Sequence, residues 1–384
     1  ERYLCRYCRY QKCIAVGMQS DNVQWNRDKA VSERMKAKGT RTHGQTSEST
    51  EAQNAFDANE QKREHPEFFP IVKFFKKPDE SDTAPGMSHP SNAANMLLDI
   101  GPIIMKVARI FENHPMMPDM LLDIGLRMTL TQRMMVGLNH LRRNQLRNLE
   151  VLKHADSARC RVAWEQQLYS IAEWAMHTDE FANLPGDQKL LVYKGSWAAF
   201  HRLERFHMTV SIFGRSLLEK GLDKSMIVVF SNDFAVDFYE TSFDFSFVTD
   251  YDESAVKVMF KPFVVRFFEE IARPMIELQI TDTELVFMLG QLTWHLEGRK
   301  VSAETLAISE SFRARISNEL HDYYVYEMKM TNYAARLMKL MGIVNDIENI
   351  LYERNKVLEL ARIFDVFKID MSDGGMISSS RSSS

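Results

Sequence analysis

The 384-residue sequence predicts a mainly α-helical fold with a small β-hairpin. Apolar residues recur at spacings of three and four from about residue 93 to residue 370, which is the period of helices with one buried face. One stretch rich in Val and Phe, 226–248, contains Asn-Asp and Ser breaks and predicts one or two short strands. No apolar run approaches the roughly 18 residues that a membrane span requires, so we expect no membrane partner.

The helical elements follow in order from their apolar faces and their end signals. A first clear face repeats at Trp164, Leu168, Ile171 and Ala175, and the segment 184–187, Leu-Pro-Gly-Asp, interrupts it before another helix. Further helices are expected near residue 255, at 282 behind a Thr cap, and at 303 behind a Ser cap. The last pattern begins at 309 and predicts one very long helix that runs to about residue 367.

Composition divides the chain into four parts. Residues 1–38 are basic and rich in cysteine, 39–92 are polar and broken like a disordered hinge, 93–370 are the helical domain, and 371–384 form a tail without packing potential. Between residues 1 and 41 there are ten Lys or Arg against four Asp or Glu, whereas the whole chain has a net charge of −4. This basic segment predicts a polyanionic partner for the start of the chain only.

Three of the four cysteines lie in the stretch CRYCRYQKC. Cys5 and Cys8 have the C-x2-C spacing that lets two thiolates reach one tetrahedral Zn²⁺, and Cys13 does not supply a second pair. A single pair is compatible equally with a metal site and with unpaired thiols. The low cysteine content fits a reducing compartment.

The same stretch interleaves basic and aromatic residues, with Arg6, Arg9 and Lys12 alternating with Tyr7 and Tyr10. Such a short basic helix is suited to phosphate contacts, and the alternative is a solvated basic face without a partner.

CRYCRYQKCIAVGM, followed by VQWNRD, resembles the end of a nuclear-receptor DNA-binding domain. The resemblance implies that Cys5 and Cys8 are the final two zinc ligands of the second module, and that Cys13 packs without binding metal. The other ligands and the recognition helix would precede Glu1, so we expect only the C-terminal edge of that domain. The implied contacts to the phosphates of double-stranded DNA are Arg2, Arg6, Arg9, Lys12 and Arg27.

The stretch 173–197, EWAMHTDEFANLPGDQKLLVYKGSW, resembles the signature of the nuclear-receptor ligand-binding domain. ITDTELVFMLGQLTW and LHDYYVYEMKMTNYAARLMKLMGIVNDIE are similar to later helices of the nematode-expanded receptors related to hepatocyte nuclear factor four. The implied fold is a three-layer helical sandwich that binds a small lipophilic ligand. Its pocket would be lined by Ala163, Trp164, Gln167, Leu168 and Trp197, with Gln167 as the polar anchor. Alternatively these residues are ordinary core, and Trp164 fills the cavity.

The resemblance also implies two protein-binding surfaces. In the groove for co-regulator helices, Met176 stands where the family usually has Lys, and Lys194 keeps the neighbouring cationic position. No complete activation helix is found, and ARIFDVFKIDM is the nearest candidate. The face for homo- or heterodimers with another nuclear receptor would be Arg336, Leu337, Leu340, Met341 and Val344, whose alternative is packing inside the domain.

The sequence therefore predicts a nuclear receptor, ligand-regulated or orphan, that acts in the nucleus as a sequence-specific, zinc-dependent regulator of transcription by RNA polymerase II. The alternative is a truncated receptor isoform without DNA binding, which acts through dimerisation or co-regulator titration. His residues near carboxylates occur at 177–180 and 294–297, but neither has the His-Glu-x-x-His spacing, and no Gly-rich phosphate loop occurs. We therefore expect no enzymatic activity.

Overall fold

A computed structural model describes residues 101–113, 128–220, 225–245, 249–363 and 366–367. The segments 1–38, 39–92 and 371–384 lie outside the described residues, and so do the predicted zinc ligands and phosphate contacts, namely Cys5, Cys8, Arg2, Arg6, Arg9, Lys12 and Arg27. Among the helices described, none combines the length and the apolar character needed to cross a bilayer.

The predicted mainly α-helical fold with a small sheet is confirmed. In chain order the α-helices are α1 Gly101–Asn113, α2 Leu130–Leu141, α3 Ser157–Ala175, α4 Asp179–Ala182, α5 Gly186–Lys220, α6 Glu253–Arg266, α7 Arg273–Leu278, α8 Asp282–Thr293, α9 Ala303–Asp322 and α10 Ala334–Ile363. Two π-helical segments, Phe267–Ala272 and Tyr323–Glu327, continue α6 and α9. The strands are β1 Glu150–Leu152, β2 His154–Ala155, β3 Ile227–Val229, β4 Phe234–Asp237 and β5 Ser242–Phe243.

Side chains cap several helices at their N-termini, where backbone N–H groups lack partners within the helix. Thr281 and Glu284 form a reciprocal capping box at α8, and the hydroxyl of Ser302 accepts from the N–H of Thr305 at α9, as the sequence indicates. The N-terminus of α2 is capped by a residue far away in the sequence. The Glu319 carboxylate accepts from the N–H groups of Leu130 and Thr131 at 3.0 and 2.6 Å.

The prediction of one helix from 309 to about 367 was wrong. The helix that begins at Ala303 widens into the π-helical segment Tyr323–Glu327, Lys329 has a left-handed backbone with φ of 54°, and α10 starts afresh at Ala334. Apolar residues recur on both sides of this break, so their spacing conceals it. The widened turn contains Tyr324, which is fully buried and donates its hydroxyl to the Glu284 carboxylate at 2.6 Å.

The predicted hairpin consists of β3 and β4, which pair antiparallel with Val228 opposite Val236. β1 adds parallel to β4, and β2 pairs parallel with β5. The hydroxyl of Thr209 on α5 accepts the N–H of Val229 at 2.9 Å, which attaches the hairpin to the longest helix.

The helices form three layers, in agreement with the expected sandwich. α5 and α8 pack on each other in the middle, with α9 beside α8. α2 and α3 lie on one side, and α6, α7 and α10 on the other. Every residue of α8 from Glu284 to Thr293 is buried, which is what a helix enclosed on all sides requires.

Candidate functional site

A cleft of about 600 Å³ opens between the end of α2, one face of α3, the middle of α5 and the turn between β3 and β4. Its lining combines apolar groups, such as Ile171, Phe200 and Phe234, with amide, hydroxyl and charged groups. A volume of this size is typical of sites for small molecules. The cleft can therefore enclose a small amphipathic molecule.

Buried ion pairs form the base of the cleft. Glu204 and Arg205 are 2% and 3% exposed and contact each other, and Arg142 donates to the second oxygen of Glu204 at 2.7 Å. Burial raises the pKa of Glu204, but the two guanidinium groups outweigh it and lower the pKa to about 2. Arg205 also donates to the side chains of Gln145 and Asn232, so both charges are occupied by protein partners.

The charges at the rim also have protein partners. Arg159 lies 3.4 Å from Glu150 and 3.3 Å from Asp233, and its guanidinium stacks over the ring of Phe234. His140 lies 3.4 Å from Glu173. The charge of Arg159 is therefore already balanced by carboxylates, whereas Arg143, which also lines the cleft, contacts the ring of His140 at 2.9 Å.

Gln167 provides an unsatisfied acceptor at the cleft. Its Nε2 donates to the carbonyl of Phe230 at 2.6 Å, while its Oε1 is buried and accepts no hydrogen bond within the described residues. A buried polar atom without a partner is uncommon, because it loses its hydrogen bond to water without a replacement. A ligand hydroxyl or amide N–H would satisfy this atom once the side chains that cover it move aside.

The structure divides the predicted pocket residues between two faces of the sandwich. Ala163 and Gln167 line the cleft, whereas Trp164, Leu168 and Trp197 do not. Trp164 and Trp197 contact each other edge to face, with ring centroids 5.9 Å apart, and Leu168 is 1% exposed in the core. Neighbouring positions on a helix point about 100° apart, and here Ala163 turns toward the cleft while Trp164 turns toward Trp197.

The predicted dimer residues lie at or near the first turns of α10 and face largely inward. Leu340 and Val344 are buried, while Leu337 and Met341 are half-buried. Arg336 reaches into the domain and binds the fully buried Glu284 through two hydrogen bonds of 2.5 and 2.7 Å. The exposed apolar side chains of α10 are instead Met338 and Tyr352, at 71% and 62% exposure.

The predicted co-regulator residues lie on two helices that α1 covers in part. Met176 directly follows α3 and is 6% exposed, and Lys194 is half-buried on α5. α1 packs on α3 and α5. A cation that the sequence analysis missed, Lys189, donates to the carbonyl of Phe111 at 3.1 Å. We call the surface of Tyr169, Phe181, Lys189 and Tyr193 beneath α1 the α3–α5 groove.

Within the described ranges no group of His, Cys, Asp and Glu side chains could hold a metal ion. His295, one of the histidines considered for chemistry, lies 2.7 Å from the Glu348 carboxylate and joins the segment after α8 to α10.

Residues 145–364 match the family described as "Ligand-binding domain of nuclear hormone receptor". The chain is similar to two Caenorhabditis elegans proteins, nuclear hormone receptor family members nhr-213 and nhr-54. It is 30% identical to the first, over 97% of this chain and 81% of the relative, and 27% identical to the second, over 95% and 81%. Among solved structures it resembles the ultraspiracle ligand-binding domain from Drosophila melanogaster with a TM-score of 0.44 and 15% identity, over 64% of this chain and 95% of the other.

Proposed function

Because the chain belongs to the nuclear hormone receptor family, we propose that it is a ligand-binding regulator of RNA polymerase II transcription that acts in the nucleus. The cleft against α3 carries the ligand-binding part of the proposal, since it combines a suitable volume with an unsatisfied acceptor on Gln167. Members of this family are transcription factors, and the chain is not an enzyme.

The cleft favours a small, largely apolar ligand that carries one hydrogen-bond donor. Its apolar groups would supply contact area, and Gln167 Oε1 would accept from a hydroxyl or an amide. The site should bind ligands that carry this donor much more tightly than analogues that lack it, because an analogue without the donor leaves Gln167 unsatisfied.

Native mass spectrometry of the full chain after expression tests this proposal. We expect a co-purified small molecule, and the Gln167→Leu variant should retain much less of it. Gln166→Leu is the matched control, since Gln166 also lines the cleft but is exposed and next in sequence. Ligand-free protein in every preparation, or equal retention by the two variants, would contradict the assigned site.

For the DNA-binding function, we propose that a complete zinc-module domain reads the base edges and that the basic residues named above hold phosphates. Cys5 and Cys8 supply two thiolates, whereas a structural zinc site uses four ligands, so they would hold the metal only together with two further ligands. Phosphate contacts make affinity fall with salt. Substituting Arg6 and Arg9 with Gln in a protein that carries the full domain should therefore flatten the salt dependence of binding in a gel-shift titration.

For the protein partners, we propose that the α3–α5 groove receives co-regulator helices and that α10 forms dimers with a second receptor. Met338 and Tyr352 are the apolar groups that α10 leaves exposed for such a contact. Met338→Glu should shift sedimentation velocity toward the monomer. Val258→Glu, which changes another exposed apolar residue on α6, should leave the distribution unchanged.

A further inference from the structure

The helix α1 presents an apolar face at the spacing with which helices enter grooves. Val107, Ile110 and Phe111 occupy positions i, i+3 and i+4, and Val107 and Phe111 are 1% and 5% exposed. Ile103 extends the same face by one turn toward the N-terminus and is also buried, whereas Met105 on the other side is 57% exposed. An amphipathic helix with anchors at these positions is a recurrent form of groove recognition.

Two side chains of α1, those of Phe111 and Lys106, contact aromatic rings of the α3–α5 groove. The ring of Phe111 contacts Phe181 and Tyr193 edge to face, with centroids 5.3 and 5.7 Å apart. The Lys106 ammonium lies 3.9 Å from the centroid of the Tyr169 ring. The helix is therefore seated by aromatic contacts on three elements, α3, α4 and α5.

The C-terminal end of α1 is held by a cation. The last carbonyls of a helix lack partners within it and carry partial negative charge, so an ammonium group there is favourable. Lys189 is 7% exposed and donates to the carbonyl of Phe111 at 3.1 Å, two residues before the helix ends. Tyr193 lies one turn further along α5 and next to Lys194, while Phe181 follows Met176 by five residues. The groove is thus built on α3, which Met176 follows directly, and on α5, which carries Lys194.

We propose that α1 is an internal occupant of the α3–α5 groove, and that a partner helix with apolar residues at i, i+3 and i+4 must displace it. This inference rests on the proposed function, in which the same groove receives a co-regulator. Helices of about this length are marginal in water when they stand alone, so α1 owes its order mainly to the groove. Occupation lowers the apparent affinity of the groove for a partner, because that affinity is the intrinsic affinity multiplied by the fraction of molecules in which the groove is uncovered.

The test uses the full chain and a fluorescein-labelled 13-residue peptide with a central Leu-x-x-Leu-Leu pattern, followed by fluorescence polarisation. Phe111→Ala removes the ring between Phe181 and Tyr193, and we expect it to bind the peptide about tenfold more tightly than the unaltered chain. Met105→Ala, the matched control on the exposed side of α1, should bind like the unaltered chain. An unlabelled peptide of residues 101–113 should compete with the labelled peptide for the Phe111→Ala variant.

Hydrogen exchange on the unaltered chain provides a test that needs no variant. Saturating Leu-x-x-Leu-Leu peptide should increase deuterium uptake in residues 101–113 and reduce it around Tyr193. Peptide binding without any change in the exchange of α1, or equal affinity in Phe111→Ala and the unaltered chain, would overturn the displacement while leaving co-regulator binding intact. Failure of the labelled peptide to bind either the unaltered chain or the Phe111→Ala variant would overturn both this inference and the co-regulator proposal.

Discussion

The buried pair of Glu284 and Arg336 should be among the most sensitive points of the domain. Glu284 is fully buried, and Arg336, with 18% of its side chain exposed, binds both carboxylate oxygens. Burial raises the pKa of Glu284, but the hydrogen bonds from Arg336, the N–H of Thr281 and the hydroxyl of Tyr324 together hold that pKa below its ordinary value. Arg336→Met would leave the carboxylate buried without a counter-charge.

Removing one partner of a buried ion pair costs about 3–5 kcal/mol. Since Tyr324 and Thr281 still donate to Glu284, we expect the lower end, a loss of about 3 kcal/mol in the free energy of unfolding. For a domain of this size that corresponds to a decrease in Tm of roughly 6–12 °C. The measurement is urea and thermal unfolding followed by circular dichroism at 222 nm.

Arg273 offers a matched control. It binds Glu269 with the same two-oxygen geometry, at 2.7 and 3.0 Å, but both side chains are 44% exposed. Arg273→Met should therefore cost less than about 1 kcal/mol. The double variant Glu284→Gln/Arg336→Met should recover part of the loss, because no unpaired charge remains buried. Equal losses for the two Arg variants would refute the reasoning that burial decides the cost.

Two further predictions concern stability. The pKa of Glu204 is about 2 in the folded protein against an ordinary value of 4.5. The contribution of the Glu204 carboxylate to stability should therefore be complete above pH 4.5 and lost as the pH falls toward 2. In the Glu204→Gln variant, the urea concentration at the unfolding midpoint should depend less on pH over that range. On α5 a methyl group at Gly195 would displace the guanidinium of Arg299, which donates to the Gly195 carbonyl at 2.8 Å, and this hydrogen bond would be lost. Gly195→Ala should thus lower the thermal midpoint, whereas Gly342→Ala, with nothing near its added methyl, should gain about 0.5–1 kcal/mol from helix propensity.

Local signals predicted much of the helical architecture. The cap residues Thr281 and Ser302 begin α8 and α9, and the Leu-Pro-Gly-Asp segment at 184–187 separates α4 from α5. These features depend on neighbours within one helical turn, so they can be read from the chain alone. The three-residue strand β1 is too short to leave such a signal and exists because β4 pairs with it.

The cleft and the α3–α5 groove depend on contacts between residues far apart in the chain, and the spacing of residues in the sequence does not predict such contacts. Lys189 and the carbonyl of Phe111 are 78 residues apart in the chain, and no local pattern joins them. Apolar spacing also does not show which of two adjacent positions on α3 turns toward the cleft and which toward the core. The sequence does show an apolar helical pattern at 101–113 and a lysine five residues before Lys194. These two signals indicate the contact between Lys189 and Phe111 only once the position of α1 is known.

The cap of α2 by Glu319 bears on the order in which the domain assembles during synthesis. The N–H groups of Leu130 and Thr131 gain their carboxylate only after a further 188 residues have been translated and have left the ribosome. Until then α2 has neither this anchor nor the complete α9 that packs on it. Completion of the sandwich is therefore a late event in the synthesis of the domain. A nascent chain halted before α9 should expose α2 to chaperones and proteases.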